Sequence, residues 1–198
     1  MESKILLFPG PFLYTYKLKN HSRIKKKLVD FIENDVVSTN KKCGEGTVVK
    51  TSYYDVMESG ENDSFFKYLS NLDLLKDIVW NPMDDCISQL PFLVQSYPKK
   101  SSVDSIWYNY FENGGFHEPH IHQNSFISGI YILHLEEKNP TVFFGSGSSN
   151  DSFNYFYHET DYLEEGTIVL FPSDMWHFVN SVKKKKITIS FNISSTFA

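Results

Sequence analysis

A mainly β fold of the sandwich or jelly-roll type, with helices confined to the N-terminal half, is what the sequence predicts. Short β-rich runs recur at regular spacing after Pro98, each closed by a turn signal. Helical periodicity appears only before that point. Aromatic residues reach 16%, with Phe 17 and Tyr 12, a composition that favours strands.

In order along the chain, residues 4–18 read as extended, broken at Pro9-Gly10-Pro11. From His21 to about Val37, Ile24, Leu28, Phe31 and Ile32 recur at helical spacing, with Arg23, Lys25, Lys26 and Lys27 toward water. Residues 38–63 are polar, with a short extended piece at Val48–Thr51. Ser64 can cap a second helix reaching about Ile78, through Phe65, Leu69, Leu72 and Leu75. Pro82 should end that region, and a shorter helix is expected between Asp84 and Tyr97. The strands follow: Ser105–Glu112, Phe126–Leu135, Thr141–Gly145, Phe153–His158, Thr167–Phe171, His177–Val182 and Ile187–Ile193. The Gly/Ser run at 145–150 reads as a surface loop, since no Lys-Ser/Thr pair follows to cradle phosphate.

A length of 198 residues fits one domain, with 1–98 as a helical and extended support region and 99–198 as the jelly-roll core. The net charge of −5, from 19 basic and 24 acidic residues, argues against dedicated nucleic-acid binding. The cysteines, Cys43 and Cys86, are too few for a disulfide scaffold or a four-cysteine zinc site, and read as free thiols of a reducing compartment. No run approaches the ~20 apolar residues of a membrane span, and the N-terminal apolar run is too short for a signal peptide. The expectation is a soluble, cytoplasmic protein, for which a homodimer is compatible.

Histidine carries the chemistry. His120 and His122, two apart in His117-Glu118-Pro119-His120-Ile121-His122, share a face if the piece is a strand. A strand cannot close a metal site alone, and His177, after the Pro172-Ser173-Asp174 turn, is the third candidate. Imidazoles without thiolates suit Fe(II), Zn(II), Cu(II) or Ni(II). In the last strand Ile187, Ile189, Phe191 and Ile193 face one way, and Lys186, Thr188, Ser190 and Asn192 the other. A cation with a hydroxyl two residues on can clamp a carboxylate, which singles out Lys186 and Thr188. Lys183, Lys184 and Lys185 read as a solvated turn.

These motifs together resemble a known family. Trp107-Tyr108-Asn109, Gly114-Gly115, His120-Ile121-His122, Ser128-Gly129-Ile130-Tyr131, the run Gly166 to Ser173, His177 and the run Ile187 to Asn192 are similar to the 2-oxoglutarate/Fe(II) oxygenases of marine bacteria and their phages, relatives of prolyl 4-hydroxylases. Leu7-Phe8-Pro9 and the Ser52 to Asp55 region are similar too. The resemblance implies a double-stranded β-helix, cupin-like, with two or three N-terminal helices packed on it. It implies Fe(II) and 2-oxoglutarate as cofactors and hydroxylation of a small-molecule or peptide substrate, with 2-oxoglutarate decarboxylated to succinate. His120 and His177 match metal ligands. Lys186, nine residues after His177, matches the cation that holds the far carboxylate of 2-oxoglutarate, where relatives carry Arg, and Thr188 its hydroxyl partner. Asn109 and Tyr131 are candidates to hold the same carboxylate.

The sequence departs from the family at 122, where the family carries an acid. Three outcomes stay open: His122 ligates, His122 stands aside, or Glu118 contributes. Spacing and face favour His122, while His117 is expected on the other face. Trp107, Phe111, Phe116 and Trp176 are candidates for the cavity wall. Two alternatives to the hydroxylase reading remain, a three-His cupin-type dioxygenase that does not use 2-oxoglutarate and a non-catalytic jelly-roll binding module.

Overall fold

The structure is a computed structural model that describes residues 4–7, 12–38, 48–59, 63–90, 100–122, 125–146 and 155–196. Its strands are β1 (Lys4–Leu7), β2 (Phe12–Lys17), β3 (Lys50–Thr51), β4 (Lys100–Phe111), β5 (His117–His120), β6 (Ile127–Leu135), β7 (Thr141–Ser146), β8 (Tyr155–Glu159), β9 (Thr167–Pro172), β10 (His177–Val179) and β11 (Lys186–Thr196). Its helices are α1 (His21–Ser38), α2 (Tyr53–Ser59), α3 (Ser64–Asn71) and α4 (Asn81–Gln89), with a π-helical turn at Lys76–Trp80. The strands form a seven-stranded sheet, order β1-β2-β9-β6-β11-β4-β3, and a four-stranded sheet, order β5-β10-β7-β8. The pairs are antiparallel throughout both sheets. This is the mainly β, double-stranded β-helix arrangement expected, with α1, α3 and α4 packed on the outer face of the large sheet.

The central strands of the large sheet are buried on both faces. On the outer face Ile187, Ile189, Phe191 and Ile193 of β11, Tyr131 and Leu133 of β6 and Ile106 and Tyr108 of β4 join Ile24, Leu28 and Ile32 of α1 and Met83 and Cys86 of α4 in one core. Leu28 and Ile32 are fully buried, so an alanine at either would cost ~2–5 kcal/mol. The inner face meets the small sheet through a second cluster that includes Leu13, Ile130, Ile132, Phe143, Val169 and Phe171. Each strand therefore separates a helix-facing set from a set facing the space between sheets.

Three buried tyrosines tie the helix layer to the sheet. The Tyr14 hydroxyl donates to Asp85 of α4, and that of Tyr108 to Asp35 of α1. The Tyr131 hydroxyl meets His21 Nδ1 at 2.6 Å. A buried phenol carries a large apolar ring and a polar tip, so it fills the core and still satisfies its hydroxyl. Glu165 sits at the α1 end of this layer, held by Lys25 at 2.6 Å and by the Leu135 N–H at 2.9 Å. Burial alone would raise its carboxyl, but these donors and His21 outweigh that and hold it below the usual range.

Two glycines are required by geometry. Gly114 takes φ +86° in the turn between β4 and β5. Gly129 lies beneath the Phe191 ring of the neighbouring strand, and a Cβ there would sit 2.1 Å from Phe191 Cζ. The ring occupies the space a side chain would need.

The helices differ in detail from the expectation. The cap of α3 is Asp63, not Ser64, and its carboxylate accepts from the Phe65 and Phe66 N–H groups at 2.7 and 2.9 Å. That helix does not run to Ile78: Asp73 adopts φ +54° and interrupts it. Pro82 opens α4 instead of ending the region, since the first helical turn needs no proline N–H. The four helices among the described residues exceed the two or three expected. The break at Pro9-Gly10-Pro11, Cys43, residues 91–97 of the last expected helix, Phe153 and residues 147–150 of the Gly/Ser loop lie outside the described residues.

Candidate active site

His120 ends β5, and His177 opens β10 directly opposite it. His122 lies two residues beyond His120, and its N–H donates to the Ser173 carbonyl at 2.8 Å, which fixes it beside the turn before β10. The nitrogens that the three imidazoles offer all lie within 4.8 Å of one another. Antiparallel pairing thus brings in the third imidazole that one strand could not provide.

The hydrogen bonds select one tautomer at all three rings. His120 Nδ1 is 2.8 Å from the Glu118 carbonyl, His177 Nδ1 is 3.1 Å from the Met175 carbonyl, and His122 Nδ1 is 2.6 Å from Asn192 Oδ1. A carbonyl oxygen only accepts, so each Nδ1 carries the hydrogen and each Nε2 keeps its lone pair. Asn192 Oδ1 also accepts from Ser128 Oγ at 2.8 Å, and Ser128 meets Ser173 at 2.8 Å. This is the outer support a metal-ligating imidazole needs. Burial, reinforced by the neighbouring imidazoles, lowers His120 to about 3 and holds His177 well below its usual value. Burial likewise lowers His122 to about 4, against the opposing Asn192 hydrogen bond. All three are neutral at pH 7, as a metal ligand must be.

Lys186 is fully buried on the same pocket. Its Nζ donates to Thr141 Oγ1 at 2.7 Å and lies 5.5 Å from the centre of the Phe111 ring. Among the described residues no carboxylate stands within ion-pair distance of it. Burial lowers its pKa to about 7, with Glu137 opposing. Thr141 pairs with Val179, two residues from His177, so the ammonium anchor lies about 7 Å along the strand from the metal ligands. That span suits a short dicarboxylate bridging the two.

The cavity between the sheets has a volume of about 460 Å³. Thr188 and Asn109, direct partners across β11 and β4, both line it, and Asn109 Nδ2 donates to Ser190 Oγ at 3.2 Å. The alternation read from β11 holds: Lys186, Thr188, Ser190 and Asn192 all face the cavity.

Three expectations are corrected. Tyr131 is not on the pocket. It points to the helix side and bonds His21, while its neighbour Ile130 lines the cavity. His117 does line the cavity, with its ring centre 4.0 Å from that of His120. The reason is a bulge: His120 and His117, three apart, face His177 and Val179, two apart, which turns His117 onto the pocket face. Glu118 is exposed, and its carbonyl, not its carboxylate, serves the site by accepting from both His117 and His120. Of the proposed wall aromatics, Trp107 and Phe111 line the cavity, whereas Phe116 does not and Trp176 is exposed.

The sequence reading missed α2. Tyr53, Tyr54 and Met57 line the cavity, and Tyr54 and Met57 are largely exposed, which puts them at its mouth. The helix is held because Ser52 Oγ accepts from the Tyr108 N–H at 3.1 Å and Thr51 Oγ1 accepts from the Tyr53 N–H at 3.1 Å. Thr51-Ser52 before Asp55 was a start signal inside a segment read as polar loop.

A double-stranded β-helix with clustered imidazoles between its sheets defines a class of metal-dependent β-barrel enzymes. Residues 105–192 match the family model described as "Putative 2OG-Fe(II) oxygenase". This segment contains all three imidazoles together with Lys186, Thr188 and Asn109, so the part of the chain that carries the candidate site is similar to the 2OG-Fe(II) oxygenase family. The family implies Fe(II) and 2-oxoglutarate as cofactors, and the residues present fit both: three lone pairs converge for the ion, and a buried ammonium faces the cavity.

The fold is similar to a Pseudomonas putida prolyl-4-hydroxylase, with TM-score 0.59, 13% identity, and 93% of this chain and 92% of that chain covered. It is similar also to a Trichoplax adhaerens prolyl hydroxylase solved in complex with a hypoxia inducible factor oxygen degradation domain peptide fragment, with TM-score 0.61, 10% identity, and coverage of 92% and 83%. At these identities the likeness carries the fold alone. No curated protein matches the sequence. No helix among the described residues is long and apolar enough to cross a membrane.

Proposed function

We propose that the protein hydroxylates an uncharged carbon of a small-molecule or peptide substrate at the mouth of this cavity, with 2-oxoglutarate and O₂ consumed and succinate and CO₂ released. His120, His122 and His177 would hold Fe(II) through Nε2, and Lys186, positioned by Thr141, would hold the far carboxylate of 2-oxoglutarate together with Thr188 and Asn109. The bound iron supplies the activation of O₂ that side chains cannot perform. The chain's own residues orient and exclude. Glu118, Met175 and Asn192 lock the imidazole tautomers. Trp107, Phe111 and Ile130 keep water from the interior. Tyr53, Tyr54 and Met57 present a largely apolar rim to the substrate.

The observation that carries this reading is Lys186, a fully buried ammonium that faces the cavity with a threonine hydroxyl as its partner. A three-His dioxygenase without 2-oxoglutarate, or a non-catalytic module, leaves that cation without a role. We read the 198 residues as one domain. Its 1–98 support region contributes β1, β2 and β3 to the sheet formed by the 99–198 core, which supports that reading. A cytoplasmic location is part of the proposal and fits the free thiol of Cys86.

The test is calorimetric titration of 2-oxoglutarate into the Mn(II)-loaded protein, followed by measurement of succinate release from the Fe(II)-loaded protein under air. Metal-dependent binding with succinate release supports the reading. Absence of 2-oxoglutarate binding to metal-loaded protein overturns it.

A further inference from the structure

The cavity lining holds no carboxylate among the described residues, and its one cationic side chain is Lys186. An imidazole ligand brings no charge to a metal, so His122 does not supply the negative charge that an acid at this position would bring. A divalent ion and the Lys186 ammonium together carry three positive charges, of which a 2-oxoglutarate dianion cancels two. One positive charge is then left uncompensated in a site where His122, His177 and Lys186 are all buried. An unbalanced buried charge is costly, and the direct remedy is a counter-ion.

The polar lining suits one. Ser190 accepts from Asn109 Nδ2 at 3.2 Å, which leaves its own hydroxyl hydrogen available to the cavity. Ser190 lies on β11 between Thr188, in the proposed 2-oxoglutarate site, and Asn192, which anchors His122. The volume of about 460 Å³ leaves room beside a five-carbon dicarboxylate.

We propose that the site takes a small monoanion in addition to 2-oxoglutarate, seated near His122 and Ser190, and that this anion is either a carboxylate borne by the substrate or a free inorganic ion. The inference rests on the proposed function, since it assumes that metal and 2-oxoglutarate are both bound.

The experiment uses the full chain loaded with Co(II) and saturated with 2-oxoglutarate, titrated separately with azide, acetate, butyrate and acetamide while the visible absorption of the Co(II) centre is followed. Azide and acetate should each produce a saturable spectral change, and acetamide, the uncharged analogue of acetate, should produce none. Azide binding with butyrate excluded assigns the site to a free ion, and butyrate binding assigns it to a substrate carboxylate; both support the proposal. His122→Asp, selected for retained Co(II) and 2-oxoglutarate binding, should weaken azide by at least about tenfold, because the added carboxylate removes the surplus charge. Unchanged azide affinity in His122→Asp overturns the proposal. If that variant does not fold, the parent chain decides, since equal responses to acetate and acetamide overturn it equally. No response to either anion with Co(II) and 2-oxoglutarate bound overturns the proposal and leaves the oxygenase reading intact. Failure of 2-oxoglutarate itself to bind removes the foundation of both.

Discussion

Replacing Asn192 with leucine, a side chain of similar size, removes the oxygen that receives both the His122 Nδ1 hydrogen at 2.6 Å and the Ser128 hydroxyl at 2.8 Å. Two buried donors then lack an acceptor, at about 1–3 kcal/mol each if neither finds another. His122 has an alternative: it can shift its hydrogen to Nε2, which satisfies nothing at Nδ1 and blocks the nitrogen meant for the metal. Losing an outer hydrogen bond to a ligating imidazole costs roughly 10–100-fold in metal affinity. At about 1.4 kcal/mol per factor of ten, that is ~1.4–2.8 kcal/mol. Calorimetry with Mn(II), or competition with a chromophoric chelator, measures it. Urea denaturation of the metal-free protein separates the stability loss from the affinity loss. Asn192→Asp keeps an acceptor at the same place and should retain metal affinity at least equal to that of the parent chain. If Asn192→Leu folds and binds Mn(II) as tightly as the parent, His122 is not a ligand through Nε2 and the three-imidazole assignment fails.

Lys186 gives a pH-dependent signature. Its folded pKa is lowered to about 7 from a usual value near 10.5, so between those pH values the unfolded chain binds the extra proton. The metal-free protein should therefore gain stability from this group as pH rises from 7 toward 10, by up to ~5 kcal/mol. Lys186→Met should remove that slope, which chemical denaturation across the range would show. Binding of 2-oxoglutarate restores the ammonium, so calorimetry at pH 8 in buffers of different ionisation enthalpy should register proton uptake that Lys186→Met abolishes. Tyr131→Phe should cost about 1 kcal/mol of stability, through the lost His21 hydrogen bond, and leave 2-oxoglutarate affinity unchanged. A large loss of affinity would return Tyr131 to the pocket. Gly129→Ala should destabilise by ~1–3 kcal/mol, read as a lower urea midpoint, because its Cβ would meet the Phe191 ring.

What the sequence revealed of the site depended on how many faces of each strand are apolar. The strand β11 alternates polar and apolar residues, so the sequence alone assigns Lys186, Thr188, Ser190 and Asn192 to one face. Strand β6 reads Ile-Ser-Gly-Ile-Tyr-Ile-Leu-His-Leu and is buried at Ile130, Tyr131, Ile132 and Leu133 alike. With helices on one side and the second sheet on the other, it has no polar face to mark direction, and Tyr131 was placed on the wrong one. The bulge at Glu118-Pro119 inverted His117 for a different reason, since pairing register is a property of two strands and neither spells it alone. Helix α2 is seven residues long, too short for a 3.6-residue period to rise above its polar surroundings. The clustering of His120, His122 and His177 was legible because a metal site calls for a residue type and a spacing together.

The alternation of β11 also divides labour for anyone who wishes to re-engineer the protein. Ile187, Ile189, Phe191 and Ile193 belong to the helix-facing core, and the residues between them belong to the cavity. Volume-conserving libraries at the odd-numbered positions would tune thermal tolerance, and libraries at the even-numbered positions would tune chemistry. The two could be searched separately on one strand and then combined.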